Sequence, residues 1–341
     1  MDEENKLTNE MSENGNNAEI EFKSRIDLSA LKSGVERVRE EMAKVIVGQE
    51  EMIDLLLISL LSNGHSLIEG VPGIAKTITA KLMAKTMSVG FSRIQFTPDL
   101  MPSDILGTSV FNLKTSEFDF KKGPIFSNII LIDEINRSPA KTQAALFEVM
   151  EERQVTIDGH HFEMDFPFIV FATQNPVEQE GTYRLPEAQL DRFLFKIEAQ
   201  YPNLDEELKI IERQHQNKIT KQLDLIKTVV TKEELAHFQS LVQSVVVEEH
   251  LIKYIAQIVT QTRDNPMLYL GASPRASLGI LSASKAYAAI NGRDFVTPED
   301  IKYVAIPVLQ HRVIVTPERE MEGLTGRQVI LQILESIEIP R

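Results

Sequence analysis

The chain has 341 residues, 36 Lys and Arg against 50 Asp and Glu, a net charge of −14 and 43% hydrophobic residues. That apolar share supports a sizeable buried core, and the length predicts about two domains. The acidic balance disfavours a role in coating nucleic acid or anionic lipid, because phosphates are repelled at long range. With no cysteine, disulfide scaffolds, thiolate metal centres and cysteine nucleophiles are excluded.

Residues 1–24 hold seven acidic residues, two lysines and five asparagines with few large apolar groups. Such a stretch buries too little surface to offset its ordering entropy, which predicts a mobile acidic tail. It also lacks the basic and apolar regions of a secretory signal. The most apolar run, Met52 to Leu61, is interrupted by Asp54 and falls short of the roughly 20 apolar residues a bilayer helix needs. The expectation is a soluble, cytoplasmic chain with no direct membrane insertion.

From 25 to 202, short β-rich runs alternate with helical patterns, which predicts an α/β core with a mostly parallel sheet. The predicted strands are Ser66–Glu69, Phe91–Thr97, Ile129–Ile132, Phe168–Thr173 and Leu194–Ile197. Ala80, Met83, Ala84 and Met87 recur at helical spacing. Pro139 to Arg153 reads as another helix, with Pro139 suited to its first turn. Two hairpins interrupt the pattern. Phe111–Leu113 and Phe118–Phe120 flank a polar turn, and Val155–Ile157 leads into the hairpin signal Asp158-Gly159. His160-His161 at that tip reads as surface rather than metal site, since no matching ligand cluster accompanies it.

Beyond Tyr201-Pro202-Asn203 the pattern becomes helical throughout, at Asp205–Gln216, Lys232–Val245, Glu249–Thr262, Arg275–Ile290 and Glu299–Gln310, with no convincing central strand. The expected organisation is therefore a tail (1–24), an α/β core (25–202) and an all-α domain (203–341).

The chemistry concentrates in three places. Gly70-Val71-Pro72-Gly73-Ile74-Ala75-Lys76-Thr77 follows a predicted strand and opens a predicted helix. That is the setting of a phosphate-binding loop: main-chain N–H groups wrap phosphates, Lys76 neutralises β/γ oxygens and the Thr77 hydroxyl ligates Mg²⁺. Ala75 stands where the general pattern has glycine. A first helical turn needs no positive φ, so the small methyl group is expected to be tolerated. Second, the apolar run Ile129–Ile132 delivers Asp133 and Glu134. Successive strand side chains point opposite ways, so the two acids are expected to do different work. Asp133 suits the outer shell of Mg²⁺, and Glu134 suits polarising the water that attacks the γ-phosphate. Third, the strand at Phe168–Thr173 runs into Gln174-Asn175-Pro176, where Asn175 can donate or accept beside that water. Asn-Pro is also a common turn.

Together GVPGIAKT, LIDEINR, ATQNP, LPEAQLDRF and GASPRA stand in an order and spacing that resembles the MoxR family of AAA+ ATPases, over about Val45 to Ile314. The resemblance implies an AAA+ P-loop NTPase core followed by an all-α lid. Lys76 and Thr77 then match Walker A, Asp133 and Glu134 Walker B, Asn175 sensor 1, Arg192 the arginine finger and Arg275 sensor 2 on the lid. Val47-Gly48-Gln49 resembles the adenine-side segment, and the two hairpins look like the helix-2 insert and pre-sensor-1 hairpin.

Arg192 falls between the last core helix and the last strand, at the far edge from the phosphate loop. It is therefore expected to reach only a neighbouring copy's nucleotide; the bland alternative is an ion pair with Asp191. Arg275 opens a helix behind a Ser273 cap and Pro274. It reaches a γ-phosphate only if the lid closes over the core, and otherwise pairs with a core acid. The family reading implies Mg·ATP hydrolysis in a ring, usually a homohexamer. Lid movement would remodel or mature client proteins, often beside partners with a von Willebrand factor A domain. The rival readings are a helicase- or chelatase-type motor and a nucleotide-gated adaptor with little turnover. The net charge of −14 weighs against nucleic acid, and intact Glu134 and Arg192 weigh against the adaptor.

Overall fold

The computed structural model describes residues 26–71, 73–175, 185–216 and 225–339; the acidic segment 1–24 and Pro72 lie outside them. Helices α1 (Ser29–Ala43) and α2 (Glu50–Leu61) precede strand β1 (Ser66–Glu69). Helix α3 (Lys76–Thr86) leads to β2 (Phe91–Gln95), and the short α4 (Pro102–Leu106) to a hairpin of β3 (Gly107–Asn112) and β4 (Glu117–Lys122). Next come β5 (Ile129–Asp133), α5 (Ala140–Glu152) and a second hairpin, β6 (Gln154–Ile157) with β7 (His160–Glu163). Strand β8 (Ile169–Gln174), α6 (Glu187–Leu190) and β9 (Phe195–Glu198) follow. The remaining helices are α7 (Leu204–Gln216), α8 (Lys232–Ser244), α9 (Glu249–Arg263), α10 (Pro274–Ile290), α11 (Pro298–Leu309), α12 (Pro317–Met321) and α13 (Gly326–Ser336).

The five central strands form one parallel sheet in the order β2-β5-β8-β1-β9. Each falls where the sequence predicts a strand, to within two residues. Burial on both faces explains why the central β5 and β8 read as near-continuous apolar runs, while the edge strands β2 and β9 carry exposed Arg93, Gln95 and Glu198. Ile129 and Leu131 of β5 join one apolar cluster, and Ile130 and Ile132 the other. The first cluster runs without a break into α1, α2, α3 and the helices α8 to α11. The second is closed by Leu146, Phe147, Val149 and Met150 of α5.

Local chemistry accounts for several boundaries. Asp158 and Gly159 turn the second hairpin at φ 52° and 79°, the left-handed pair a two-residue turn requires. Pro139 stands at the cap of α5 with ψ 151°, one position before the first turn expected for it, because its extended backbone ends the preceding loop. The expectation of helices alone after residue 203 needs one correction. Strands β10 (Leu268–Leu270) and β11 (Ile314–Val315) pair antiparallel. Partners so short and so far apart in the chain leave no local alternation to read.

Candidate active site

The carboxyl ends of the parallel strands gather the phosphate loop and the acids, the edge where open α/β sheets bind ligands. Glu69 closes β1, the loop follows, and α3 begins at Lys76. Lys76 Nζ donates to the Gly70 carbonyl at 2.5 Å. Burial pulls its ammonium below the usual lysine range, and Asp133, Glu134 and Glu69 draw it partly back. Gly73 has φ +92° and open space where a Cβ would project, so the loop presents main chain outward. Thr77 is half-buried in the first turn of α3.

Ala75 overturns an expectation. It caps α3 at φ +63°, ψ +12°, in the left-handed region where a β-carbon costs about 1–2 kcal/mol. The position does demand a positive φ, which is why a glycine suits it and an alanine is strained.

Asp133 is 6% exposed; its Oδ2 meets Arg93 Nε at 2.6 Å, and its Oδ1 accepts from Thr173 Oγ1 at 3.1 Å. Glu134 diverges from it for a reason other than strand alternation. The strand ends at Asp133, and Glu134 takes φ +57°, ψ +52° before a turn of 3₁₀-helix at Ile135–Arg137. That left-handed step swings its carboxylate to the rim, where Oε2 accepts from Gln95 Nε2 at 2.6 Å. Its main-chain N–H donates to Thr173 Oγ1 at 3.1 Å. Asn175 is buried just past the end of β8, with Gly70 N–H donating to the Gln174 carbonyl next to it at 3.3 Å. Arg93, Gln95 and Thr173 are functional candidates that the sequence reading missed. β2 lies beside β5 with Gln95 opposite Asp133, a register no local pattern encodes.

Val47 and Gly48 approach the same edge. Gln49 Nε2 donates to the Gln200 carbonyl just past β9 at 2.7 Å, and Gly48, at φ +68°, faces the Glu206 carboxylate of α7.

The two arginines lie at the other end of the sheet. Ser66 is in register with Phe195 and Glu69 with Glu198, so the loop leaves the carboxyl end of β1 while Arg192 precedes the amino end of β9. Arg192 Nη1 donates to the Phe147 carbonyl at 2.7 Å, and Nη2 meets Glu151 Oε2 at 2.8 Å. The suggested Asp191 pairing is not the one formed. Arg275 binds the other oxygen of Glu151 and lies 3.9 Å from Asp191. Arg275 is thus held beside Arg192 rather than over its own chain's Lys76, in the pairing with a core acid that stood as the alternative to a γ-phosphate contact. Two anchors explain the placement. The single Ser273 hydroxyl proton is shared between the two Asp191 oxygens at 3.0 and 2.9 Å, and Arg312 Nε meets Asp191 Oδ1 at 2.9 Å.

A nucleotide fits this loop: a half-buried lysine cation, an outward-facing main chain at Gly73, the buried Asp133, and Glu134 at the rim together define a P-loop ATPase. The pattern of the ATPase family associated with various cellular activities (AAA) matches residues 65–195, and that of the AAA lid domain residues 260–333. The chain is 43% identical to chaperone MoxR1 of Mycobacterium tuberculosis, over 90% of this chain and 82% of that one. It is 45% identical to the uncharacterized protein YeaC of Bacillus subtilis, over 88% and 93%. A crystal structure from Cytophaga hutchinsonii superimposes with a TM-score of 0.85 at 45% identity, covering 92% of this chain and 97% of that one. The chain belongs to the MoxR family of AAA+ ATPases.

Proposed function

We propose that copies of this chain form a ring, a homohexamer by family resemblance, in which Mg·ATP held by one copy's loop is hydrolysed with arginines of the next. The observation that supports this is the sheet register: Lys76 sits at the carboxyl end, and Arg192 and Arg275 at the amino end. One chain therefore carries two halves of a site facing opposite ways.

The main-chain N–H groups of Val71, Gly73, Ile74 and Ala75 would cradle the phosphates while Lys76 offsets their charge; Gly70, whose N–H is given to the Gln174 carbonyl, opens the loop. Val47 and Gly48 flank the base. Thr77 and Asp133 would hold Mg²⁺; each Asp133 oxygen keeps a lone pair beyond its bonds to Arg93 and Thr173. Bound there, Mg²⁺ would act as a Lewis acid that offsets the phosphates' negative charge. Glu134 takes the proton of the attacking water, Gln95 steadies its carboxylate, and Asn175 orients the water. The neighbour's arginines offset charge as the γ-phosphoryl leaves, a role worth about 10³–10⁵ in turnover. The resulting motion of the helical part remodels or matures a client protein in the cytoplasm, beside a partner carrying a von Willebrand factor A domain. Among the described residues no helix is long and apolar enough to cross a membrane.

The test mixes two inactive variants. Arg192→Ala lacks the donated arginine, and Lys76→Ala cannot bind ATP productively. Mixed rings contain interfaces with both halves intact, so phosphate release is expected to recover. Absence of recovery with co-assembly demonstrated refutes the shared site. A Glu134→Gln chain is further expected to retain its client in ATP and release it in ADP.

A further inference from the structure

Glu151 belongs to none of the motifs, yet it occupies the centre of the arginine face. Three guanidiniums, those of Arg192, Arg275 and Arg312, converge there with two carboxylates among them. The carboxylates are not equivalent. Asp191 is tied to Arg312, whose side chain is 3% exposed and also donates to the carbonyls of Asp191, Phe193 and Leu194. Those bonds hold Asp191 in place. Glu151 is 36% exposed and lends one oxygen to Arg192 and the other to Arg275, themselves 31% and 49% exposed. Ion pairs that wet are weak and exchangeable.

We propose that Glu151 is a positioning residue: its two oxygens hold Arg192 and Arg275 side by side, ready to exchange the carboxylate for the phosphate oxygens of a neighbouring copy's nucleotide. This rests on the shared-site reading above. Two guanidiniums at such a spacing repel each other, and Arg312 adds to the repulsion. A carboxylate between them offsets it and presents the same oxygen-to-oxygen fork as a phosphate. The end of α5 reinforces the arrangement, since a helix carboxyl terminus favours cations and the Phe147 carbonyl already accepts from Arg192. A cavity of about 420 Å³ lined by Asn63, Glu151, Arg192, Arg275 and Arg312 opens at this point. Without the carboxylate the arginines splay, although the phosphate loop at the other end of the sheet is untouched.

The deciding variant is Glu151→Gln, which keeps the shape and removes the charge. Turnover at saturating ATP is expected to fall by about 10- to 100-fold, the scale of a misplaced catalytic group. KM and the affinity for a fluorescent ATP analogue should stay within about twofold of wild type, since own-site binding is intact. Mixing Glu151→Gln with Lys76→Ala chains should restore activity, because the latter donate correctly held arginines to the former's intact loops; a general folding defect is not rescued in this way. The proposal is overturned if Glu151→Gln turns over within about twofold of wild type. It is equally overturned if its mixture stays inactive while the Arg192→Ala and Lys76→Ala mixture recovers. If that control mixture fails with co-assembly shown, the shared site itself is refuted and this role goes with it.

Discussion

Replacing Arg312 by methionine removes the most buried of the three arginines around Asp191 and Glu151 and isolates its effect on stability. Arg312 follows α11, makes an ion pair with Asp191 at 2.9 Å and donates to the carbonyls of Asp191 at 3.0 Å, Phe193 at 2.6 Å and Leu194 at 3.1 Å. Burial draws its pKa down to about 10, with the Asp191 carboxylate opposing that shift. Methionine fills the space of the stem, so lost packing contributes little. What remains is a carboxylate deprived of its partner and several carbonyls deprived of a donor. Removing one member of a buried pair costs about 3–5 kcal/mol. Asp191 keeps the bifurcated Ser273 hydrogen bond and is 18% exposed, which places the expected loss at the low end, about 3 kcal/mol. At roughly 2.1 cal/mol/K per residue, that corresponds to a fall in Tm of about 4 °C for a chain of this size. The internal comparison is Lys253→Met, which breaks an ion pair with Glu249 whose side chains are 70% and 81% exposed; it should cost no more than about 0.5 kcal/mol. Urea and thermal unfolding followed by circular dichroism measure both. If Arg312→Met loses less than about 1 kcal/mol, or no more than Lys253→Met does, the buried-pair reasoning is refuted.

Glu134→Gln should retain ATP affinity and lose most turnover; phosphate release within about twofold of wild type, a barrier change of only ~0.4 kcal/mol, contradicts its role as the base. Ala75→Gly removes a β-carbon from the left-handed region, and should raise stability by about 0.5–1 kcal/mol after the extra unfolded-state entropy is subtracted. An unchanged or lower urea midpoint counts against it. His65 is held neutral: Val170 N–H donates to its Nδ1 at 2.9 Å, Nε2 lies 3.1 Å from the Met150 carbonyl, and burial, then Arg153, lowers its pKa to about 4. An unfolded histidine binds its proton near 6.5. The contribution of His65 is therefore full above that pH and is lost as pH falls from about 6.5 to 4, about 3 kcal/mol in all. His65→Gln should flatten the stability profile over this window relative to wild type; identical slopes dismiss the assignment.

What the sequence by itself determined are features whose cause is local. The strands of the parallel sheet are runs of four to six residues, and the central β5 and β8 are the most readable because burial on both faces demands continuity. The phosphate loop is contiguous, so its chemistry is legible before any fold is known. The start of α10 is equally local: Ser273 accepts from Arg275 N–H at 3.2 Å and Pro274 opens the first turn. Only the tertiary structure decided what depends on juxtaposition. The register of β2 on β5 brings Arg93 to Asp133 and Gln95 to Glu134. The sign of φ at Ala75 and Glu134 follows from how strand, loop and helix must join in space, since neither residue type prefers it. The partner of Arg275 lies 124 residues away in the chain, on α5. Whether that arginine faced its own phosphate loop or the opposite end of the sheet was settled by the packing of α10 on α1 and α2, because a side chain's partner is chosen by the surfaces that hydrophobic burial brings together.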